Sequence, residues 1–315
     1  MTLKSATTAT VSVASGAQQT ISAPVILASN ATLSTNSGAQ LLVSGAISET
    51  GGSRTVTKTG TGVAELSGTN SYTGTTTVSA GELIVSGSLA GNVTVAPGAI
   101  LGSGGNGNLN SQVAALLASS DTSLGATVTP GGDGGSGTTS IGRLNADGNV
   151  TLGTLGASTP ATLKIEIGGT AAGSSYDQLN VKGAARSVNL DNVALSITAV
   201  NGYAFQNPAY DNANSQFFTT GATFFILTLA DNGSTLNGTF VGTQGADPNL
   251  PGFSTINLGG QLFAINYSAD SGSGQFNSSG NDVAIMAIPE PNSLAMLAGS
   301  LGMALGLQRF RRRRS

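Results

Sequence analysis

The sequence predicts an all-β fold, and three observations support that prediction. Glycine contributes 46 of the 315 residues, about twice its usual share of ~7%. Charged residues make up only 9% of the chain, too few for a charged disordered protein or an ordinary helical enzyme. Short apolar clusters recur between Gly and Asn turns at a spacing of roughly ten residues, a pattern typical of a sandwich, a barrel or a solenoid.

The residue types that are missing exclude several functions. The chain has no Cys and no His, so it has no disulfide framework, no Cys/His zinc site and no nucleophile activated by histidine. Seven Lys and Arg stand against fourteen Asp and Glu before the C-terminal tail, and no basic stripe precedes Arg309. The composition therefore predicts no nucleic-acid partner, no metal site and no cofactor.

Residues 57–83 carry three short patterns in order. They are K-x-G-x-G beginning at Lys58, L-S-G-x-N-x-Y-T-G beginning at Leu66, and T-x-V-x-A-G-x-L beginning at Thr76. Together they resemble the autotransporter-associated β-strand repeat, although Thr75 stands where that family usually has Gly. The resemblance implies rungs of a right-handed parallel β-helix in the outward-facing passenger region of a surface protein.

The alternation of residue types in and after this segment agrees with such rungs. Small or branched apolar residues recur two positions apart with polar residues between them, at Ala64 and Leu66, Leu83 and Val85, and Val93 and Val95. Glycines that tolerate positive φ supply the expected corners, at Gly60, Gly62, Gly68, Gly74, Gly81 and Gly87. Each rung buries its apolar face only by stacking on its neighbours, and we count five rungs before Gly107.

The pattern divides the body of the chain into four regions. Residues 1–110 form the first rungs, residues 111–140 a Gly-rich loop excursion with a helical turn or loop at 113–117, and residues 141–200 further rungs. In this last region Leu163, Ile165 and Ile167 are expected inside, with Lys164 and Glu166 on the exposed face.

Residues 201–287 are predicted to be an aromatic-rich antiparallel β cap that seals the stack. Eight of the ten Phe residues lie between Phe205 and Phe263. The continuous apolar run Phe224–Leu229 predicts a strand covered on both faces. Bulky aromatic side chains suit the closure of an open solenoid end.

The C-terminal tail, residues 288–315, has a composition of its own. The sequence Pro289-Glu290-Pro291 is an extended break, because proline donates no backbone hydrogen bond. An uncharged apolar segment follows at residues 294–307, and a helix from residue 294 to Phe310 spans about 25 Å, slightly less than the ~30 Å bilayer core. Five arginines lie among the last seven residues. A basic cluster next to a membrane span favours the cytoplasmic side of the membrane, and it consists of Arg309, Arg311, Arg312, Arg313 and Arg314.

This order of features resembles the PEP-CTERM sorting tail of exported Gram-negative proteins, with Asn292 where that family usually has Ser or Thr. The resemblance implies recognition of Pro289, Glu290 and Pro291 by an exosortase-type membrane protease. It also implies an inner-membrane tether through the C-terminal helix before processing, and a cell-surface or extracellular location afterwards. Residues 1–20 show no leader of the kind that such export needs, so we expect a signal peptide upstream of Met1.

Two functions fit these features. The first is a non-catalytic structural or adhesive protein whose Ser, Thr and Asn side chains contact exopolysaccharide. The second is a β-helical polysaccharide lyase or hydrolase, for which the sequence offers one mixed-charge neighbourhood, formed by Asp177, Lys182, Arg186 and Asp191. The absence of catalytic residue types favours the first.

Overall fold

The computed structural model describes residues 1–104, 106–109, 113–115, 125–132, 141–153, 156, 158–205, 222–230, 233–245, 254–276 and 279–288. These residues form β-strands and no helix. The strands are β1 (Thr2–Leu3), β2 (Thr8–Val13), β3 (Gln18–Ile21), β4 (Val25–Leu27), β5 (Asn30–Thr35), β6 (Gln40–Val43), β7 (Ile47–Glu49), β8 (Val56–Thr59), β9 (Val63–Leu66), β10 (Thr69–Asn70), β11 (Thr76–Val78), β12 (Glu82–Ile84), β13 (Ser88–Leu89), β14 (Val93–Val95), β15 (Ile100–Gly102), β16 (Asn106–Leu109), β17 (Val113–Ala115), β18 (Thr127–Thr129), β19 (Arg143–Ala146), β20 (Val150–Thr151), β21 (Ala161–Ile167), β22 (Gln178–Val181), β23 (Ser187–Asn189), β24 (Val193–Ala199), β25 (Phe224–Leu229), β26 (Thr235–Asn237), β27 (Ser254–Leu258), β28 (Gln261–Ala269) and β29 (Asp282–Ala287).

Successive strands pass in strict rotation to three sides of a solenoid. Side 1 contains β1-β4-β7 and β10-β13-β16-β19-β22-β25, side 2 contains β2-β5-β8-β11-β14-β17-β20-β23-β26, and side 3 contains β3-β6-β9-β12-β15-β18-β21-β24. Pairing between neighbours is parallel throughout these series. Three consecutive strands make one rung, so β1–β3 is rung 1 and β13–β15 is rung 5. The five rungs expected before Gly107 are present, and the hand of the winding stays a prediction.

The core runs along the solenoid axis between the three sides. Because side chains alternate across a strand, every second residue points inward and stacks on its equivalent in the next rung. The inward positions predicted from the sequence are confirmed, since Ala64, Leu66, Leu83, Val85, Val93 and Val95 are all fully buried. Leu163, Ile165 and Ile167 extend the same core into β21.

One glycine stands at the corner between side 2 and side 3 in each of the first five rungs. These glycines are Gly16, Gly38, Gly60, Gly81 and Gly98, and all have positive φ values, between 65° and 76°. A residue with a Cβ is strained in that conformation, so the corner selects glycine. The other predicted corner glycines, Gly62, Gly68, Gly74 and Gly87, do not have positive φ. Their backbone instead passes so close to the preceding rung that a Cβ would collide with its carbonyl groups.

The expected loop excursion at residues 111–140 is wrong in part. Strands β17 and β18 lie within this segment and pair in parallel with β14 and β15, so both belong to the parallel series of sides 2 and 3. Val113–Ala115 is a strand rather than a helical turn. The physical reason is register: β17 presents Val113 opposite Val93, which repeats the pattern of the preceding rung.

Beyond β25 and β26, which still pair in parallel with rung 8, the pairing becomes antiparallel. Strand β25 pairs in parallel with β22 on one edge and antiparallel with β29 on the other, and β28 and β27 continue the antiparallel sheet. The apolar strand predicted at Phe224–Leu229 is present, and its side chains are buried on both faces apart from the half-buried Phe225. We call β25 and β27–β29 the C-terminal β group. That this group seals the solenoid stays a prediction.

Candidate functional site

Lys58 in β8 points into the core, although lysine is a residue that normally remains in water. Its side chain is fully buried, and its ammonium donates hydrogen bonds to the carbonyls of Thr59, Gly60 and Ala80 at 3.0, 2.8 and 3.0 Å. Ala80 belongs to the next rung, so the ammonium connects rungs 3 and 4. Burial lowers the pKa of Lys58 to about 8, and the Glu82 carboxylate opposes that shift.

Asn70 in β10 connects three successive rungs. Its Oδ1 accepts a hydrogen bond from the Ile47 amide of rung 3 at 3.0 Å. Its Nδ2 donates to Gly68 O at 2.9 Å within rung 4 and to Ser88 O of rung 5 at 3.0 Å. The side chain is almost completely buried, and all three of its hydrogen bonds are made with backbone groups.

Tyr72 fills the corner between β10 and β11. It is fully buried, and its hydroxyl forms a 2.6 Å hydrogen bond with the hydroxyl of the equally buried Thr76. Burial raises the pKa of Tyr72 well above its usual value, and the bond to Thr76 opposes the shift. Four buried polar side chains of the motif thus point inward. We call them the motif lock: Lys58, Asn70, Tyr72 and Thr76.

The polar residues of the motif therefore make contacts inside the solenoid and do not form a surface site. Sequence reasoning did not assign Lys58 or Asn70 an inward role. The signal available was position: Lys58 is two residues from the buried Val56 in an alternating strand, which places it on the same inward face.

The outward face of side 2 carries a continuous row of threonines. Pairing sets Thr10 beside Thr32, Thr32 beside Thr57, Thr57 beside Thr77, and Thr77 beside Thr94. Thr10 is exposed and the others are half-buried between their neighbours. A second, shorter row is formed by Ser12, Ser34 and Thr59. We call these two rows the threonine face.

The mixed-charge neighbourhood predicted at Asp177, Lys182, Arg186 and Asp191 does not form a joint site. None of the four hydrogen-bonds or ion-pairs with another within the described part of the chain. Arg186 pairs with Asp147 at 3.1 Å, and Lys182 is exposed. Asp191 follows β23 at the corner toward side 3, whereas Asp177 precedes β22 on side 1.

Asp177 is instead a buried clamp for the backbone. Its Oδ1 accepts from the Gly142 amide at 2.8 Å and its Oδ2 from the Glu166 amide at 2.9 Å. Burial raises the pKa of Asp177 to about 7, against the lowering effect of these two hydrogen bonds. The expectation that Glu166 lies on an exposed face is wrong, since it is 2% exposed and 3.8 Å from Lys164. After β21 the chain turns back, so that Asp177 hydrogen-bonds with the backbone of Glu166 at the end of this strand.

The sorting motif Pro289, Glu290 and Pro291 lies outside the described residues. The same holds for the apolar segment at 294–307 and for the arginines predicted to set membrane orientation, Arg309, Arg311, Arg312, Arg313 and Arg314. Within the described ranges, no helix has the length and apolar character of a membrane span.

Comparison with known proteins gives one finding. Residues 56–85 match the family model of the passenger-associated-transport-repeat, which confirms the autotransporter-associated repeat predicted at residues 57–83. The matched segment runs from β8 to the end of β12 and contains the whole motif lock. Neither the comparison with curated proteins nor that with solved structures gives a match.

Proposed function

We propose that this chain is an exported, non-catalytic surface protein of the passenger type, whose solenoid contacts polysaccharide. The observation that carries the proposal is the repeat at residues 56–85, which matches a passenger-associated repeat and folds as stacked rungs. A stack of rungs presents long, regular outer surfaces, the geometry that repeat proteins use for extended contacts.

Delivery to the surface is assigned to the C-terminal tail. The Pro289-Glu290-Pro291 motif, the apolar segment at 294–307 and the terminal arginines act as a PEP-CTERM signal. The partners are then the export machinery and an exosortase-type membrane protease. The chain is tethered in the inner membrane until it is processed, and it is afterwards at the cell surface or outside the cell.

The non-catalytic role is favoured over a lyase or hydrolase by the contacts of the acidic residues. Both Asp177 oxygens accept backbone hydrogen bonds, and Asp177 is fully buried, so this carboxylate serves the fold. Asp147 and Arg186 form a partly exposed ion pair of an ordinary kind. A polysaccharide-contacting role uses hydroxyl and amide groups, which the chain has in abundance.

The test of delivery is the intact mass of the protein recovered from its producing cells. We expect a mass that lacks the residues after Pro291, in the surface or extracellular fraction. The double variant Pro289→Ala, Pro291→Ala is the matched control and should retain its tail in the membrane fraction. A full-length soluble wild-type protein would contradict the sorting role.

The test of the non-catalytic role uses exopolysaccharide purified from the same cells. We expect the protein to co-sediment with the polysaccharide without releasing new reducing ends. Steady release of reducing sugar would support the lyase or hydrolase alternative.

A further inference from the structure

The five threonine hydroxyls on side 2 are in register, and none has a hydrogen-bond partner among the residues that the structure describes. Thr10, Thr32, Thr57, Thr77 and Thr94 form no side-chain hydrogen bond with any described residue. Other threonine hydroxyls do find partners, such as that of Thr73 on Glu49 and that of Thr228 on Asn180. The hydroxyls of the row are therefore available to donate and accept hydrogen bonds outward.

The row is regular because the backbone beneath it is regular. Neighbouring parallel strands lie about 4.8 Å apart, so the five hydroxyls span roughly 19 Å along the solenoid axis. Thr57 stands between Val56 and Lys58, both fully buried, which fixes the strand that carries it. A platform of this rigidity loses little conformational entropy when it binds a partner of matching regularity.

The threonine face carries no charge, and this is a property of side 2 rather than of the chain. All outward positions of the two rows are Thr or Ser. The corresponding outward row on side 3 begins at Thr20 but continues with Leu42, Glu65 and Ile84 in register, so it is not a row of hydroxyls. An uncharged face can bind a neutral partner without burying a charge. It offers no positive group to an acidic partner, so it favours the neutral one.

We propose that the threonine face is the polysaccharide-binding surface and that its ligand is an ordered, uncharged polysaccharide. Sugar hydroxyls are both donors and acceptors, as threonine hydroxyls are, and the threonine methyl groups contact the apolar faces of sugar rings. The repeat of the ligand engages many weak contacts at once, so avidity replaces a deep pocket. This inference rests on the polysaccharide contact of the proposed function, but not on the sorting role of the tail.

The test compares the full chain with the triple variant Thr32→Val, Thr57→Val, Thr77→Val. Valine preserves the β-branched shape and the strand preference and removes only the hydroxyl. The probe is microcrystalline cellulose, an ordered neutral glucan, and binding is measured by co-sedimentation. We expect the triple variant to lose affinity by about tenfold or more, because three hydroxyl groups that can hydrogen-bond to the ligand are removed.

The matched control carries the same three changes on side 3, as Thr20→Val, Thr127→Val, Thr162→Val, and should bind as the wild type does. Equal binding of wild type and the Thr32, Thr57 and Thr77 variant would overturn the inference and leave the polysaccharide contact standing. A wild type that binds no polysaccharide at all would overturn both. Stronger binding to the anionic polymer alginate than to cellulose would contradict the proposal that the ligand is uncharged.

A second copy of the chain is the other partner that could cover the threonine face. Light scattering distinguishes such self-association from polysaccharide binding. The inference predicts that wild type and the triple variant have the same molar mass in solution. A wild-type dimer that becomes monomeric in the triple variant, without cellulose binding, would make the threonine face an interface between two copies and overturn the inference.

Discussion

The rungs that carry the motif and the C-terminal β group are stabilised by different kinds of side chain. In rungs 3 to 5, Lys58 and Asn70 donate buried hydrogen bonds to backbone carbonyls of neighbouring rungs. In the C-terminal β group, Phe224 makes edge-to-face contacts with Tyr176 and Phe205, at ring-centroid distances of 5.3 and 6.2 Å, and Phe205 contacts Phe263 at 5.1 Å.

The difference follows from what each region has to do with its backbone. Where every strand has a parallel neighbour on both sides, the unpaired groups are the carbonyls and amides of the corners, and polar side chains satisfy them. Where parallel pairing gives way to antiparallel pairing, buried aromatic rings such as that of Phe224 pack edge to face against their neighbours. Buried acids assist there too, since Asp282 accepts from the amides of Leu229 and Ser271 at 2.7 and 2.8 Å.

Removal of the central ring should have the largest effect. Phe224→Ala should lower the free energy of unfolding by about 3 to 5 kcal/mol, because the ring is buried and leaves a cavity among other aromatic rings. Since rungs interact with their neighbours only, amide hydrogen exchange should accelerate in β25 and β29 and remain slow in rungs 1 to 4. Val241→Ala, at a half-exposed position, is the control and should change little. Uniform acceleration along the chain would contradict the separation of the two regions.

Loss of the buried ammonium should have the next largest effect, in the other region. Lys58→Met keeps the length of the side chain but leaves the carbonyls of Thr59, Gly60 and Ala80 without their donor, at a cost of about 3 kcal/mol. Hydrogen exchange should accelerate around β8 and β12 and not in β28 or β29. The exposed Lys4→Met is the matched control, expected within about 0.5 kcal/mol of wild type. If Lys58→Met proved as stable as Lys4→Met, the motif lock would not stabilise the rungs.

The pH dependence should give the smallest effect. The folded pKa of Asp177, about 7, lies above the ordinary value of 3.8, so the folded state holds this proton more tightly than the unfolded state. Stability should therefore rise as the pH falls from about 7 to about 4, by at most ~1.4 kcal/mol per pH unit from this group. Lys58 titrates above this window.

Denaturant unfolding of wild type and Asp177→Asn across this range isolates that contribution. The difference between the two unfolding free energies should change with pH in the stated direction. A difference that is constant with pH would mean that Asp177 has the same proton affinity in the folded and unfolded states.

Apolar residues two positions apart, such as Ala64 and Leu66 or Val93 and Val95, were enough to predict the buried face. Successive side chains of a strand point to opposite faces whatever the neighbouring strands are. Lys58 could not be assigned from its type, since lysine prefers water and its burial is made favourable by carbonyls of its own rung and of the next. Alternation in β21 predicts Glu166 outside, because the turn after β21 that brings Asp177 back to the Glu166 backbone is not encoded in the strand itself. Register between rungs, which creates the threonine face, depends on loop lengths that local patterns do not encode.

The corner glycines have a consequence for how such a chain changes in length. From Gly16 to Gly81 they recur at intervals of roughly 20 residues, and each occupies the same left-handed conformation at the same place in its rung. A segment bounded by two of these glycines begins and ends in the same backbone geometry. If the coding sequence of such a segment is duplicated or lost, the remaining rungs therefore stay in register. Each such event lengthens or shortens the molecule by about 4.8 Å, and with it the number of hydroxyls presented in one line.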